Sequence, residues 1–432
     1  LKGGLKMKRI AIVLLVLVLA MGMVFAQGKG EKEATGRRTL RISAESWQIS
    51  KIYLEKAKEI FEKNHPDVDV EIITLADQNV LANYVIDWSK GNTETDLVFL
   101  DGGYMAKTYL AQGLIYDFDK ELNFFKDFPK SKYQPGALET GVYEGVQVCV
   151  PAIYEVYGIS LNKKMFQEAG LVDANGEPLP MKTWDDFYKF SEKLTKKDAG
   201  GVVTQVGSSI QFGNNLTGII GGAIVAQKGH ITKPDGYTYD FDFPEFVNMV
   251  DLWQKGVQNG YISTSTFVDN AGGRNGFKAG QIAMVYEAAG RWMEAIPTIG
   301  IENLSLAPIP GGKGTFAFGC QMAIPKASKN ADLAMQFIKE GVYSEYVQVN
   351  TFTKFGKMSV IKEHFNKALD ETPMWKKLSD SMENGVRIPQ WQDQAKWLTG
   401  LNVIFQEGLV DPKTSARDIV NKMTALSDSL KK

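Results

Sequence analysis

Between Val146 and Leu161 the chain runs apolar with one interruption. Val146 to Ile153 carries no charge, and Pro151 within it argues against a central strand running straight through. Tyr154, Glu155 and Tyr157 follow in quick succession, and Gly158 to Leu161 resumes as a strand. One strand ends, a short crossing carries aromatic and acidic side chains, and a second strand begins. The crossing reads as the passage from one lobe into another, with a ligand cleft beside it.

Strand and helix patterns alternate on both sides of it. Thr39 to Ala44 and Val68 to Ile73 read as strands, separated by a helix with Ile52, Ala57, Ile60 and Phe61 at helical spacing. Ser50 is placed to cap that helix, and Asn64-His65-Pro66 stops it. Leu81 to Trp88 reads as a helix. Asp96 to Leu100 is an almost wholly apolar strand, as expected when helices cover both faces. Downstream, Thr183 with Asp185-Asp186 opens a helix to Leu194, Thr204 to Ile210 reads as a strand, and Pro244 to Asn259 as an amphipathic helix. Phe277 to Tyr286 leads into another strand, and Phe316 to Ile324 reads as a strand crossing back. Thr351 to Met358 reads as a third crossing with Phe355 and Lys357 exposed, and Thr414 to Leu430 as the closing helix. No fixed-period repeat is visible.

Composition narrows the chemistry. The 432 residues suffice for two or three domains, and a net charge of −1 gives no field that favours nucleic acid. Two cysteines, Cys149 and Cys320, and three histidines leave no multi-Cys zinc site. A single bridge between the two cysteines is possible, and two buried thiols are the simpler reading. Gly218 to Gly222 is a tight run without the Lys-Ser/Thr of a phosphate loop.

The amino-terminal stretch has the layout of an export signal. Met7-Lys8-Arg9 precedes an apolar run from Ile10 to Met21, too short for a membrane span, and Val24-Phe25-Ala26 offers a cleavage point after Ala26. Leu1 to Lys6 reads as upstream of the natural start. No cysteine near the cleavage point offers a lipid attachment, and residues 27–38 read as a disordered tether. These features predict an exported protein without a lipid anchor, in a periplasm or at the extracytoplasmic surface.

The ordered series of motifs resembles the extracellular solute-binding proteins of ATP-binding-cassette importers, within the maltose-binding-protein-like sugar-binding family. The resemblance runs over nearly all of the chain after the leader. It rests on the proline-ended strand with its Leu161-Asn162-Lys163-Lys164 turn, the Pro180 to Trp184 helix start, and Phe277 to Met284. It rests further on Ala307 to Gly314, Pro325 to Asn330 and the last helix. It implies an α/β, two-lobed periplasmic-binding-protein fold of type II, with mixed sheets flanked by helices and lobes joined by hinge crossovers. The expected division is residues 39–153 plus 322–360 in one lobe and 154–321 plus 361–432 in the other.

Candidate ligand residues follow from strand ends and from the resemblance. Ligands of open α/β sheets sit beyond the carboxyl ends of strands, which points to Glu45, Trp47, Asp77 and Gln78, with Gln48 a further candidate beside Trp47. Trp47 serves equally as a sugar platform or as a lid on the core. The resemblance places Asp101 where the family has a sugar-binding acid; a helix N-cap is the other reading. Tyr154, Glu155 and Tyr157 lie in the crossing, with Phe318 and Gln321 expected opposite them. Phe212 and Asn214 follow a strand, where amides suit sugar hydroxyls or simply stabilise a turn. Trp292, by resemblance, is the stacking indole and the leading candidate, with Glu287 and Arg291 beside it. Arg291 stands where the family has a proline, which puts a purely neutral malto-oligosaccharide in doubt. Trp391 is preferred to Trp397 in the late loop.

The reading that follows is a monomeric, non-catalytic protein without cofactor or metal. It binds a mono- or oligosaccharide and presents it to importer membrane subunits by hinge closure. The alternatives are a binder of another small solute (a glycerol phosphate, a peptide or an anion) and a secreted glycosidase. The glycosidase needs a carboxylate pair, for which Glu155, Glu287 and Asp101 are available.

Overall fold

A computed structural model describes residues 37–77, 80–101, 104–235, 238–386 and 394–430. The expected leader, the tether up to residue 36, and the candidates Gln78 and Trp391 lie outside the described residues. Arg38, assigned to the tether, instead begins the first strand, and its guanidinium pairs with Asp332 at 2.8 Å. None of the helices among the described residues is long and apolar enough to cross a membrane.

The chain opens with β1 (Arg38–Glu45), α1 (Ser46–Lys51), α2 (Leu54–Asn64), β2 (Val68–Leu75) and β3 (Leu97–Asp101). β1 pairs in parallel with both β2 and β3. The first helix starts at Ser46, directly after the strand, so Ser50 lies inside it and does not cap it. The chain breaks at Tyr53, in the left-handed region (φ 53°), before α2 begins. β4 (Val150–Pro151) ends the first pass through this sheet.

β5 (Glu155–Asn162) then enters a second sheet, and all eight of its residues are buried. Alternation along a strand explains the burial. Tyr154 and Val156 face one hydrophobic core, whereas Tyr157, Ile159 and Leu161 face another. The second unit continues through α3 (Trp184–Leu194), β6 (Val203–Ile210), α4 (Leu216–Lys228), α5 (Pro244–Gln258), β7 (Ile262–Ser263), α6 (Gly272–Lys278), β8 (Ile282–Ala288) and β9 (Leu304–Ala307). Thr183 caps α3 in a reciprocal box with Asp186, as its sequence predicts. β10 (Thr315–Phe318) and β11 (Cys320–Ala323) carry the chain back. α7 (Glu345–Phe355), β12 (Gly385–Val386), α8 (Gln394–Val410) and α9 (Ala416–Ser429) follow, and Ser415 caps the last helix.

The first sheet has the order β2-β1-β3-β11-β4, and the second β7-β6-β8-β5-β10-β12 with β9 added against β5. Two antiparallel strand pairs therefore bridge the sheets side by side. β4 runs into β5, and β10 runs into β11. Ala152 N–H donates to the Cys320 carbonyl at 2.8 Å between the two crossings. Gly319 permits this approach, since a Cβ there would lie 2.1 Å from the Ile153 carbonyl oxygen. The third crossing is shorter than its sequence suggests. α7 extends to Phe355, and only the stretch after it is extended, with Met358 and Tyr154 exchanging backbone hydrogen bonds of 3.0 Å.

The glycine run from Gly218 to Gly222 lies inside α4, not in a loop. A Cβ on Gly218 would fall 2.5 Å from the Tyr157 ring, and one on Gly222 2.7 Å from the Tyr286 hydroxyl. The glycines let the helix backbone sit against aromatic side chains of the sheet. Cys149 and Cys320 are both buried and unbridged.

Candidate functional site

The carboxyl ends of β1 and β3 carry Glu45 and Asp101, and Trp47 follows on α1. These face the point where the crossings meet. Glu155 opens β5 there, and Lys357 reaches it from the third crossing. Lys357 Nζ donates to Glu155 Oε1, and both residues are 5% exposed. The same ammonium lies 5.6 Å from the centre of the Trp47 ring. Lys357 is thus a buried partner of the site and not the exposed residue the sequence suggests. The helix end at Gly356 turns its side chain inward.

Asp101 touches solvent at its strand end, yet protein closes around it and removes much of its hydration. Its pKa is pushed up to about 6, first by that burial and then by the negative charges of Glu45 and Glu155; Lys357 and Arg291 oppose the rise. Cys320, opposite Asp101 in the sheet, holds its thiol well above the usual range for the same reasons.

A second charged group lies behind the first. Arg274, on α6, approaches Glu287 at 3.5 Å and Glu294 at 3.6 Å. Arg291 donates to Glu294 at 2.7 Å. Burial pushes the Glu287 carboxyl up to about 7 against the pull of Arg274 and Arg291. Burial disfavours the charge on Arg291, but Glu155 and Glu294 outweigh it and raise its pKa. Burial also acts to raise Glu294, and Arg291 with Arg274 brings it below the ordinary carboxylate value.

Aromatic rings form the remaining wall. Tyr157 packs 5.2 Å from Phe318 and 5.5 Å from Phe316, and its hydroxyl donates to Asn215 Oδ1 at 3.0 Å. Phe318 is half-buried. The structure therefore brings together Glu45, Trp47, Asp101, Glu155, Tyr157, Glu287, Arg291 and Phe318 from the sequence-based set. It adds Lys357, Arg274 and Asn215. Asn215 was legible as an amide after the strand; nothing in the sequence marks Arg274.

Other candidates sit elsewhere. Trp292 is 1% exposed and packs edge-on against Trp375 at 6.4 Å, so it has no free face for a sugar ring. Phe212 is a core residue, 4.9 Å from Phe267. Tyr154 points into the opposite core from Glu155, with its hydroxyl under Gly385. Gln48 is consumed by local contacts: its carbonyl accepts from Glu45 N–H at 2.8 Å, and its amide donates to Cys320 Sγ at 3.2 Å. Gln321, on β11, donates to Thr140 of the 3-10 helix Leu138–Gly141 at 2.8 Å. Asn214 is exposed, and its backbone N–H donates to Asn270. Each departure has one cause. Residue type was legible, whereas the parity of the strand and the depth of the side chain were not.

Two surface cavities, of about 640 and 520 Å³, lie elsewhere: one beside Tyr343 and His364, the other beside Trp184 and Lys313. Among the described residues no group of three or more His, Cys, Asp or Glu is placed to hold a metal ion.

Comparison with known proteins adds independent information. The profile of the family described as bacterial extracellular solute-binding protein matches residues 56–382. An ABC transporter extracellular-binding protein of Pyrococcus horikoshii is 22% identical over 314 residues, which cover 70% of this chain and 68% of that one. The GacH receptor of Streptomyces glaucescens, solved unliganded and with acarbose, superposes with a TM-score of 0.74 at 18% identity, covering 91% of this chain and 98% of that one. Maltose-bound MalE3 of T. maritima gives 0.72 at 19% identity, covering 91% and 100%. At such identities the likeness shows a shared fold.

Proposed function

The chain belongs to the bacterial extracellular solute-binding proteins, and we propose that within that family it binds a carbohydrate and delivers it to an ABC-type importer. The observation that carries this reading is the cluster at the crossing strands: the half-buried indole of Trp47, the carboxylates of Glu45 and Asp101, and the half-buried ring of Phe318. Aromatic faces supply apolar contact for sugar C–H groups, and carboxylates accept from hydroxyls. The acarbose and maltose complexes of the structural neighbours support the same ligand class.

The crossings supply the mechanism. Short extended segments join the two sheets, and rotation about such segments gives hinge closure. A ligand that touches both sides favours the closed arrangement by its differential affinity, and an importer that reads the closed form senses loading. Residues from both sides meet at the crossing: Glu45 and Asp101 come from the first sheet and Trp47 from α1 after it, and Glu155, Phe318 and Arg291 from the second unit. We place the site outside the cytoplasm, in keeping with the family.

Both arginines and Lys357 are engaged by carboxylates of the protein, at Glu155, Glu287 and Glu294. This favours a hydroxyl-rich solute over an anion. Nucleophile or general-acid roles for Glu155 sit poorly with a carboxylate locked to an ammonium.

A thermal-shift panel of mono- and oligosaccharides, amino acids, peptides and sugar phosphates tests the reading. At least one uncharged sugar is expected to raise Tm without turnover. The Trp47→Ala variant is expected to bind that sugar at least about tenfold more weakly. Stabilisation by a peptide or phosphate alone, or release of product, refutes the proposal.

A further inference from the structure

Aromatic rings and lysines alternate along the seam between α1–α2 and α7, outside the cleft. Lys357 lies over Trp47. Two residues earlier, Phe355 carries the Lys51 ammonium 4.2 Å from its ring centre. Tyr53 lies 5.5 Å from Phe355 and 6.2 Å from Tyr346, and Lys56 lies 5.4 Å from Tyr346. The series begins at the cleft and ends on open surface, where Tyr346 is 49% exposed.

Two features set this seam apart from scattered surface aromatics. It begins beside the candidate site, since Phe355 precedes by two residues the Lys357 whose ammonium lies over Trp47. Tyr53 also holds a left-handed backbone (φ 53°, ψ 42°) that glycine would adopt without strain, and a bulky side chain there is unfavourable. In that conformation its ring joins Tyr346 and Phe355. Lys51 lies over Phe355 and Lys56 over Tyr346, and Lys56 also donates to Glu59 at 2.7 Å; half-covered rings with the ammonium N–H groups that this pair leaves over match sugar chemistry twice, with C–H groups on the rings and hydroxyls on the lysines.

We propose that Tyr53, Tyr346, Phe355, Lys51 and Lys56 form a second carbohydrate surface, which takes the units of an oligosaccharide that project from the cleft past Trp47. The inference rests on the carbohydrate reading above and extends it. The ligand is an oligosaccharide whose far end lies over the first unit, and affinity grows with chain length.

Isothermal titration of the protein with maltose to maltohexaose and mannobiose to mannohexaose tests it. Affinity for one series is expected to rise at least about fivefold from the disaccharide to the hexasaccharide. Tyr346→Ala, an exposed site, is expected to remove most of that rise and leave disaccharide affinity within about twofold. Tyr53→Gly, which relieves the backbone, is expected to do the same while remaining folded by circular dichroism. Affinity independent of length, or a length dependence that survives both substitutions, overturns the second surface and leaves the cleft reading standing; the seam is then a contact for a protein partner or none. If no member of either series nor of the wider glycan panel binds, the carbohydrate reading fails and this inference fails with it.

Discussion

Replacing Lys357 by methionine removes one half of the ion pair at the crossing. Glu155 is then left 5% exposed, beside Asp101 and Glu45, with its ammonium partner gone. Breaking a buried pair by removing one partner costs about 3–5 kcal/mol, because the remaining charge has lost both water and partner. An exposed pair costs about 0–1 kcal/mol. The burial of both residues selects the larger figure. Urea unfolding followed by tryptophan fluorescence measures it, in a cycle of Lys357→Met, Glu155→Gln and the double variant. Each single variant is expected to lose about 3–5 kcal/mol. The double variant is expected to be more stable than the sum of the two losses predicts, with a coupling of roughly 1–3 kcal/mol. A loss under about 1 kcal/mol for Lys357→Met, or strict additivity, refutes the pairing as described.

Three other outcomes follow from the same geometry. Asp101 and Glu287 titrate near about 6 and 7 when folded, above their unfolded values of about 4, so the folded state holds protons that the unfolded chain has released. Their contribution to stability is therefore full below about pH 4 and declines as pH rises to about 7; a Tm-versus-pH profile of Asp101→Asn/Glu287→Gln is expected to decline less over this window than the wild type, and identical profiles contradict the assignment. Gly218→Ala places a methyl 2.5 Å from the Tyr157 ring and is expected to destabilise by about 1–3 kcal/mol by denaturant unfolding, whereas a neutral result means that α4 does not press on that ring. Arg274→Gln leaves Glu287 with one fewer cation, and a Tm deficit larger at pH 8 than at pH 5 is expected.

Much of this architecture is legible in the hydrophobic pattern. Pro151 and the Tyr154–Tyr157 run mark the crossing, and the apolar run before Asp101 marks a strand covered on both faces. Glu45, drawn from a strand end, and Asp101, drawn from the resemblance, come together in the structure because the carboxyl ends of parallel strands converge there. What the pattern does not carry is parity and depth. Tyr154 and Glu155 are neighbours in sequence and face opposite sides. Trp292 looks like a platform by type and context, yet the 3-10 helix Ala289–Ala295, whose Gly290 lies against the backbone of Gly356, seats it in the core. Lys357 follows a helix whose end falls later than its composition suggests. Arg274 reaches Glu287 only because α6 packs beside β8, a tertiary fact with no local signal.

A structure with a bound glycan decides whether the strand crossing is the binding site. A sugar ring is expected with its carbons within about 4 Å of the Trp47 indole and a hydroxyl within about 3 Å of the Asp101 carboxylate. A glycan bound away from the strand crossings, with both residues untouched, contradicts it.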